Sequence, residues 1–332
     1  MSTLAIALPS VVNDSILNEA RLGLTTTPRT LSPWLFYDEA GSDLFEQITQ
    51  LPEYYLTRTE RAIFTAHADE ILQRAAGSQL PHKILTLIEL GAGTATKTGI
   101  LLSAAVRLQG SAVYQPVDVS ESALAAATKN ILTNIPGVTV RCQVADYTRE
   151  PLPLDRLPNT RTLALYIGSS IGNFDPAAAI KVLTNLRAQL RPGDLLLLGT
   201  DLAPGAHKSA ADLLSAYNDA SGTTAAFNLN VLTRLNRDLG ADFNVANFRH
   251  QACWNPHESR IEMHLESLCP QTVTIPTLHP IRFAQGETIH TENSYKFTPQ
   301  SITALLTAAD FTSTQTWQDP QSLFSVTLAT AI

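Results

Sequence analysis

The chain has 332 residues, 44% of them hydrophobic, enough to bury one large core or two moderate ones, and two domains are expected. With 23 Lys and Arg against 30 Asp and Glu, the formal charge is −7, and no basic run interleaves with aromatics, so the electrostatic footprint of a nucleic-acid binder is missing. The start "MSTLAIALPSVVNDS" lacks the basic region of a secretory signal, and no apolar run approaches the roughly 20 residues of a membrane span; a cytoplasmic protein with no membrane partner is expected.

Three scattered cysteines, Cys142, Cys253 and Cys269, give neither a disulfide framework nor metal-ligand spacing. The eight histidines form no paired helical or hairpin motif, so no metal site is expected.

Residues 1–60 read as helical and loopy. From about 84 to 202 short β-rich runs alternate with helical patterns, as parallel βαβ units do. The runs are "ILTLIEL" (84–90), "AVYQPVDVS" (112–120), "VTVRCQVAD" (138–146), "TLALYIGSS" (162–170) and "DLLLLGTDL" (194–202). Several are apolar almost throughout, which suits strands covered on both faces. Between the last two, Asp175 stands at an N-cap, Pro176 at the first helical position, Ile180, Leu183 and Leu190 at helical spacing, and Gly193 closes.

Residues 203–293 break this rhythm. They hold helical stretches around "DLLSAYNDA" and "AAFNLNVLTRLNRDLGADF", then a hairpin, "HQACW" and "RIEMHLESL", turning at "NPHES". The tail adds a helix over 299–311 and two β-like runs, 312–318 and 322–331, read as a closing hairpin.

The chemistry concentrates at strand ends. In "ELGAGTATKT", Gly91 and Gly93 let a ligand approach the backbone, and Thr94 to Thr98 open a helix whose N–H groups face it. A lone GxG is equally a plain strand-to-helix turn, and Thr96 stands where a dinucleotide site wants its third glycine. Asp118 after the second strand can accept both hydroxyls of a ribose, and Asp146 with Tyr147 after the third suit an adenine edge and face. These ends outline an adenosine pocket without a pyrophosphate cradle, which fits S-adenosylmethionine better than NAD. The fourth strand ends in "GSSIGNFDP", where Gly168 and Gly172 bracket a turn and Asn173 offers an amide, or merely caps the following helix.

Beyond these turns, "GLTTTPRTLSPWLFYDEAGSDLFEQITQLPEYYLTRTE", "ELGAGTATKT", "PVDVS", "GSSIGN", "LLLGTDL", "AYNDASGTTAAFNLNVLTRLNRDLGADF", "RIEM" and "TENSYKF" run in order from about residue 22 to 330. In them the chain resembles the S-adenosylmethionine-dependent histidine Nα-methyltransferases of ergothioneine biosynthesis. The resemblance implies an α/β class I methyltransferase-like (Rossmann-like) fold: a seven-stranded, mostly parallel sheet with an antiparallel C-terminal hairpin over 62–202 and 294–332. A second, α+β substrate-binding domain would comprise 1–61 and 203–293. It also implies a small-molecule substrate, L-histidine, trimethylated to hercynine with S-adenosyl-L-methionine; a monomer is expected.

Carried over by motif, Gly91, Gly93, Lys97, Asp118, Asp146 and Tyr147 would hold the cofactor. Tyr37, Tyr54, Gly168, Asn173, Tyr217, Met263, Glu292 and Ser294 would line the substrate pocket, with Tyr37, Asn173 and Tyr217 nearest the reacting amine. The physical reading of the residues runs alongside. Methyl transfer needs a free amine lone pair aimed at the methyl rather than strong acid–base groups, and an α-amino group with a reference pKa of about 7.7–8.0 supplies one near neutral pH. As methyls are added N–H donors vanish, which favours tyrosines over a fixed carboxylate around the amine.

Met263 shares the inward face of a strand with Ile261 and Leu265, so core filling is the alternative to an imidazole contact. His264 and His290 are expected to be outward or locally satisfied. In an extended "IHTENSYKF", Glu292 and Ser294 lie on one face, Glu292 as the imidazole acceptor and the segment as the hinge back to the methyltransferase core. The competing readings are an N-methyltransferase of another aromatic amino acid, such as a tryptophan derivative, and a non-catalytic amino-acid sensor.

Overall fold

The computed structural model describes residues 9–77, 84–93, 95–148, 152, 154 and 158–332. The chain divides into two compact units, one of residues 55–209 and 295–332, the other of residues 1–54 and 210–294. The crossings between units thus fall at 54/55, 209/210 and 294/295, against 61/62, 202/203 and 293/294 expected from the sequence. The helix Tyr55–Ala76 accounts for the first difference: it is continuous, with Tyr55, Leu56, Thr59 and Glu60 already buried, so all of it belongs to the first unit.

That unit is built on a sheet of β1 (Ile84–Leu90), β2 (Ala112–Asp118), β3 (Val138–Val140), β4 (Thr160–Tyr166), β5 (Leu195–Asp201), β6 (Phe311–Gln318) and β7 (Phe324–Ala331). Their spatial order is β6-β7-β5-β4-β1-β2-β3, parallel from β3 to β5 and antiparallel through β7 and β6. Order reverses on either side of β1, so the ends of β1 and β4 flank the switch point at which open α/β sheets bind ligands. The four consecutive leucines 195–198 of β5 are at most 2% exposed, as a strand covered on both faces requires.

Four expected elements differ in detail, one of them the tail helix, which ends at Ala308 so that Phe311 already opens β6. The run 138–146 is two pieces, β3 and a short Gln143–Val144, because the backbone turns away at Arg141–Cys142 before pairing β2 again at Val117–Asp118. The helix expected to open at Thr94 is Thr98–Gln109, with Lys97 as its N-cap and 95–97 in a turn; Thr94 itself lies outside the described residues. After β4, 167–169 leave the strand, Gly168 and Ser169 at positive φ, and Ser170–Asn173 form a 3-10 turn. The next helix, Pro176–Arg187, is capped by Asp175, whose carboxylate accepts from the Ala178 N–H at 2.8 Å. Asn173 is therefore not the cap.

The other unit holds a four-stranded sheet ordered Arg29–Thr30, Thr288–Tyr295, Arg260–Ser267, Phe248–Asn255, the last two forming the expected hairpin. Helices Pro9–Leu24, Glu39–Gln50, Ala210–Tyr217 and Thr223–Leu239 accompany it. Ile261, Met263 and Leu265 are no more than 1% exposed, so period-two alternation places all three inward.

Candidate functional site

At the β1 end, Gly91 (φ +65°) and Gly93 (φ +50°) turn the chain back over the sheet. A Cβ on Gly91 would come 3.2 Å from the Tyr147 hydroxyl, so this glycine admits the close approach of the ring. Asp118 is braced by the backbone: one carboxylate oxygen accepts from the Gly93 N–H at 3.0 Å, the other from the Ser120 N–H at 2.9 Å. A carboxylate has about four acceptor sites, so two remain for a pair of vicinal hydroxyls. Asp146 accepts from the Thr148 N–H at 3.0 Å, and the Tyr147 ring meets Tyr166 edge-on with centroids 5.7 Å apart. Desolvation of the Tyr147 phenol pushes its pKa up to about 12, so the ring stays neutral beside Asp118 and Asp146.

Lys97 points to the switch point, where it pairs with the fully buried Glu60. Both Glu60 oxygens accept from the Gly168 N–H, at 2.9 and 3.0 Å. One buried carboxylate therefore joins the turn after β1 to the turn after β4. Deeper in, Glu89 of β1 accepts from the Thr98 hydroxyl at 2.7 Å and from Tyr114, and burial pushes its carboxyl up to about 7.

At the β5 end, Asp201 is 0% exposed and takes Lys208 at 2.5 Å, Lys296 at 2.9 Å and the Tyr55 hydroxyl at 2.9 Å. The Asp201 N–H donates to Ser169 Oγ at 2.9 Å, which ties the group to the turn that carries Asn173. Burial lowers Lys208 to about 8, offset in part by Asp201.

In the other unit, Tyr217 closes the helix Ala210–Tyr217, and its hydroxyl lies 2.7 Å from Ser294 Oγ. Its carbonyl accepts from His250 Nε2 at 2.9 Å, which leaves Nδ1 to accept from Asn228 Nδ2, also at 2.9 Å. Burial depresses the His250 pKa and keeps this ring neutral, as that pattern demands. Asn228 Oδ1 then accepts from Thr291, whose hydroxyl also reaches the Met263 carbonyl at 3.0 Å. Tyr217, Met263 and the strand bearing Glu292 and Ser294 thus belong to one hydrogen-bonded frame.

Tyr54 meets Tyr217 edge-on at 6.1 Å, and Tyr37 and Tyr54 both lean on Phe45, at 5.8 and 6.3 Å. Tyr37 is placed by its neighbour Asp38, which caps the helix Glu39–Gln50 through the Gly41 N–H and binds Asn230 and Arg237. Asp219 accepts from the Ser221 hydroxyl at 2.5 Å and from the Thr223 and Thr224 N–H groups at 3.0 and 2.7 Å, at the start of the helix Thr223–Leu239; the Ser221 bond first and then the backbone bonds hold its carboxyl well below the usual range despite the cost of burial. Glu292 is 9% and Ser294 4% exposed, both on the strand Thr288–Tyr295.

Among the described residues, Cys253, Glu262 and His264 bring possible metal-ligand atoms within 4.8 Å of one another. Glu262 already accepts from Asn255 at 2.9 Å and from Arg260 at 2.8 Å, and His264 stacks on His290 with centroids 4.8 Å apart. His264 and His290 are locally engaged, the latter with the Glu292 carbonyl at 3.0 Å.

The sequence missed Glu60, Glu89, Asp201, Lys208, Lys296, Asn228 and His250. Glu89 had a signal, an acid two residues before the glycine turn; the others are single polar residues, Asp201 and His250 on strands and the rest in helices or loops.

A sheet of this strand order, with a glycine turn after β1 and a braced acid after β2, defines a class I S-adenosylmethionine-dependent methyltransferase. Residues 16–331 match the family described as histidine-specific methyltransferase, SAM-dependent, and the chain belongs to that family. It is 42% identical over 318 residues to a histidine N-alpha-methyltransferase of Mycolicibacterium smegmatis, covering 95% of each chain. A protein of the same description from Mycobacterium tuberculosis is 42% identical over 309 residues, 92% of each chain. Ergothioneine biosynthesis protein 1 of Schizosaccharomyces pombe is 30% identical over 83% of this chain and 36% of that longer protein.

Proposed function

We propose that the protein methylates the α-amino group of L-histidine three times to hercynine, the first step of ergothioneine biosynthesis. The carrying observation is the frame that holds Tyr217 against Ser294 on the strand of Glu292, within a chain 42% identical to histidine N-alpha-methyltransferases. The residues suit the cofactor: the braced Asp118 keeps acceptor sites for ribose hydroxyls, Tyr147 offers a neutral ring at Gly91, and Lys97 offers N–H donors to a carboxylate. S-adenosylmethionine, when bound, supplies an electrophilic methyl on a sulfonium.

Glu292 and Ser294 bind the two imidazole nitrogens, one as acceptor and one through its hydroxyl, and Met263 lines the ring. Asn173 and Tyr37 orient the amine and carboxylate, with Gly168 lending its turn. Tyr54 and Tyr217 face the increasingly methylated amine with ring and oxygen rather than with a carboxylate, so each product stays tolerated as donors disappear. No protein base need act, because a neutral α-amino group is accessible near pH 8.

The enzyme works on a small molecule as a cytoplasmic monomer without metal, nucleic acid or membrane. Its acidic balance speaks against a nucleic-acid partner, and among the described residues no helix is long and apolar enough to cross a membrane. Mass spectrometry of histidine incubated with enzyme and S-adenosylmethionine should show gains of one, two and three methyl groups. Preference for tryptophan over histidine would sink the reading.

A further inference from the structure

Glu60 is 0% exposed on the helix Tyr55–Ala76, yet it is neither a core filler nor a cap. Its two oxygens serve partners from two elements: Lys97, the N-cap of the helix after β1, and the N–H of Gly168, first turn residue beyond β4. The chain is shaped around it. Gly199 on β5 has no side chain, and a Cβ there would lie 2.1 Å from Glu60 Oε1. Gly168 itself holds φ +76°, and a Cβ on it would lie 3.3 Å from Lys97 Nζ. Two glycines thus clear the space in which one carboxylate, one ammonium and one amide meet.

A buried carboxylate left without its counter-charge is costly, so Glu60 and Lys97 are held as a pair. Lys97 has three donors and is 18% exposed at its side chain, so it can keep Glu60 while offering another N–H to an anion. An anion bound at Lys97 would offset part of the ammonium's attraction for Glu60 and leave the carboxylate to lean more on the Gly168 N–H. Gly168 opens the turn that ends at Asn173.

We infer that Glu60 is a positioning residue that couples the carboxylate end of the cofactor site, at Lys97, to the turn Gly168–Asn173 that presents the substrate-binding amide. This rests on the reading of Lys97 as a cofactor contact. Glu60 touches neither substrate nor methyl; it acts through its two partners. By reciprocity, whatever binding at Lys97 does to the turn, occupancy of the turn does to affinity at Lys97.

The test uses the full-length protein, 15N-labelled, with S-adenosylhomocysteine as the probe. In the unsubstituted protein the assigned Gly168 amide should move on saturation with the probe, and no movement would overturn the coupling. Glu60→Gln keeps the shape and removes the charge. It should weaken probe affinity in calorimetry by about tenfold and abolish the Gly168 response at saturating probe.

A purely structural role would lower the melting temperature and leave that response intact; a retained response in Glu60→Gln overturns the proposal. If Glu60→Gln does not fold, Glu60→Asp keeps the charge but is one methylene too short to span both partners, and should show the same loss. Lys97→Ala, measured in parallel, separates the two ideas. Unchanged probe affinity there defeats the cofactor role of Lys97, and the coupling with it. Weakened affinity there, with a retained Gly168 response in either Glu60 variant, defeats the coupling alone.

Discussion

The strand ends at β1 and β2 place Asp118 and Tyr147 with backbone, whereas the unit bearing Glu292 places its polar groups with other side chains. Asp118 is braced by the N–H groups of Gly93 and Ser120, and Tyr147 is admitted by the bare Cα of Gly91. Tyr217, by contrast, is fixed through Ser294, His250, Asn228 and Thr291, and Tyr37 and Tyr54 through Phe45. A backbone brace tolerates change in its surroundings, since every residue but proline brings an N–H. A side-chain frame depends on each member. Substitutions in the first region should therefore act on one ligand group at a time, and those in the second should spread.

The largest effect is expected where the first region departs from its own pattern. Asp201 is braced by side chains, two of them buried lysines, and Asp201→Ala should cost about 3–5 kcal/mol by stranding their charge. Urea unfolding checks this; a loss below about 1 kcal/mol would mean that water reaches the lysines. Next, Glu292→Ala should raise the Michaelis constant for histidine by roughly 10- to 100-fold, the worth of a hydrogen bond to a charged group, with far less effect on that for the cofactor. Equal effects on both constants would remove the imidazole contact.

Asp118→Ala should weaken S-adenosylmethionine binding about tenfold in calorimetry while sparing histidine, and unchanged affinity would refute the ribose role. Tyr217→Phe deletes one hydroxyl and leaves Ser294 Oγ without that partner, a change of about 1 kcal/mol, or roughly fivefold in the histidine Michaelis constant. If the side-chain frame matters as described, Asn228→Ala should reproduce that loss from a distance.

One further effect is a slope with pH rather than a single loss. Burial raises Glu89 from 4.5 to about 7, so between those values the folded protein keeps a proton that the unfolded chain has lost. Linkage then makes this group's contribution fall as pH rises from 4.5 to 7. Denaturation midpoints of Glu89→Gln should show less of that decline than the unsubstituted protein, and an unchanged slope would mean Glu89 is ionised throughout.

The contrast also explains what could be read from the chain alone. Gly91, Gly93 and Asp118 stand in local patterns because a turn that needs positive φ, and an acid at a strand end, leave marks within a few residues. The strand runs, the Asp175–Pro176 helix start and the hairpin around residues 256–259 were legible for the same reason. The break at Arg141–Cys142 was not, since both residues continue an acceptable β pattern. Glu60 and Asn228 carried no mark at all: their partners lie 37 and 108 residues away for Glu60, and 22 and 63 for Asn228.

By itself, then, the sequence determined the parallel sheet with its antiparallel hairpin, the glycine turn, the acid at the end of β2 and the period-two placement of Met263, Glu292 and Ser294. These are consequences of φ/ψ preference and of side-chain alternation, which act over a few residues. Only the tertiary structure decided that Lys97 and Gly168 share one carboxylate, that Asp201 gathers two lysines, and that Tyr217 is held by a histidine and an asparagine. Those choices rest on burial. Out of water a charge or amide must find a partner wherever the fold brings one, and distance along the chain does not constrain it.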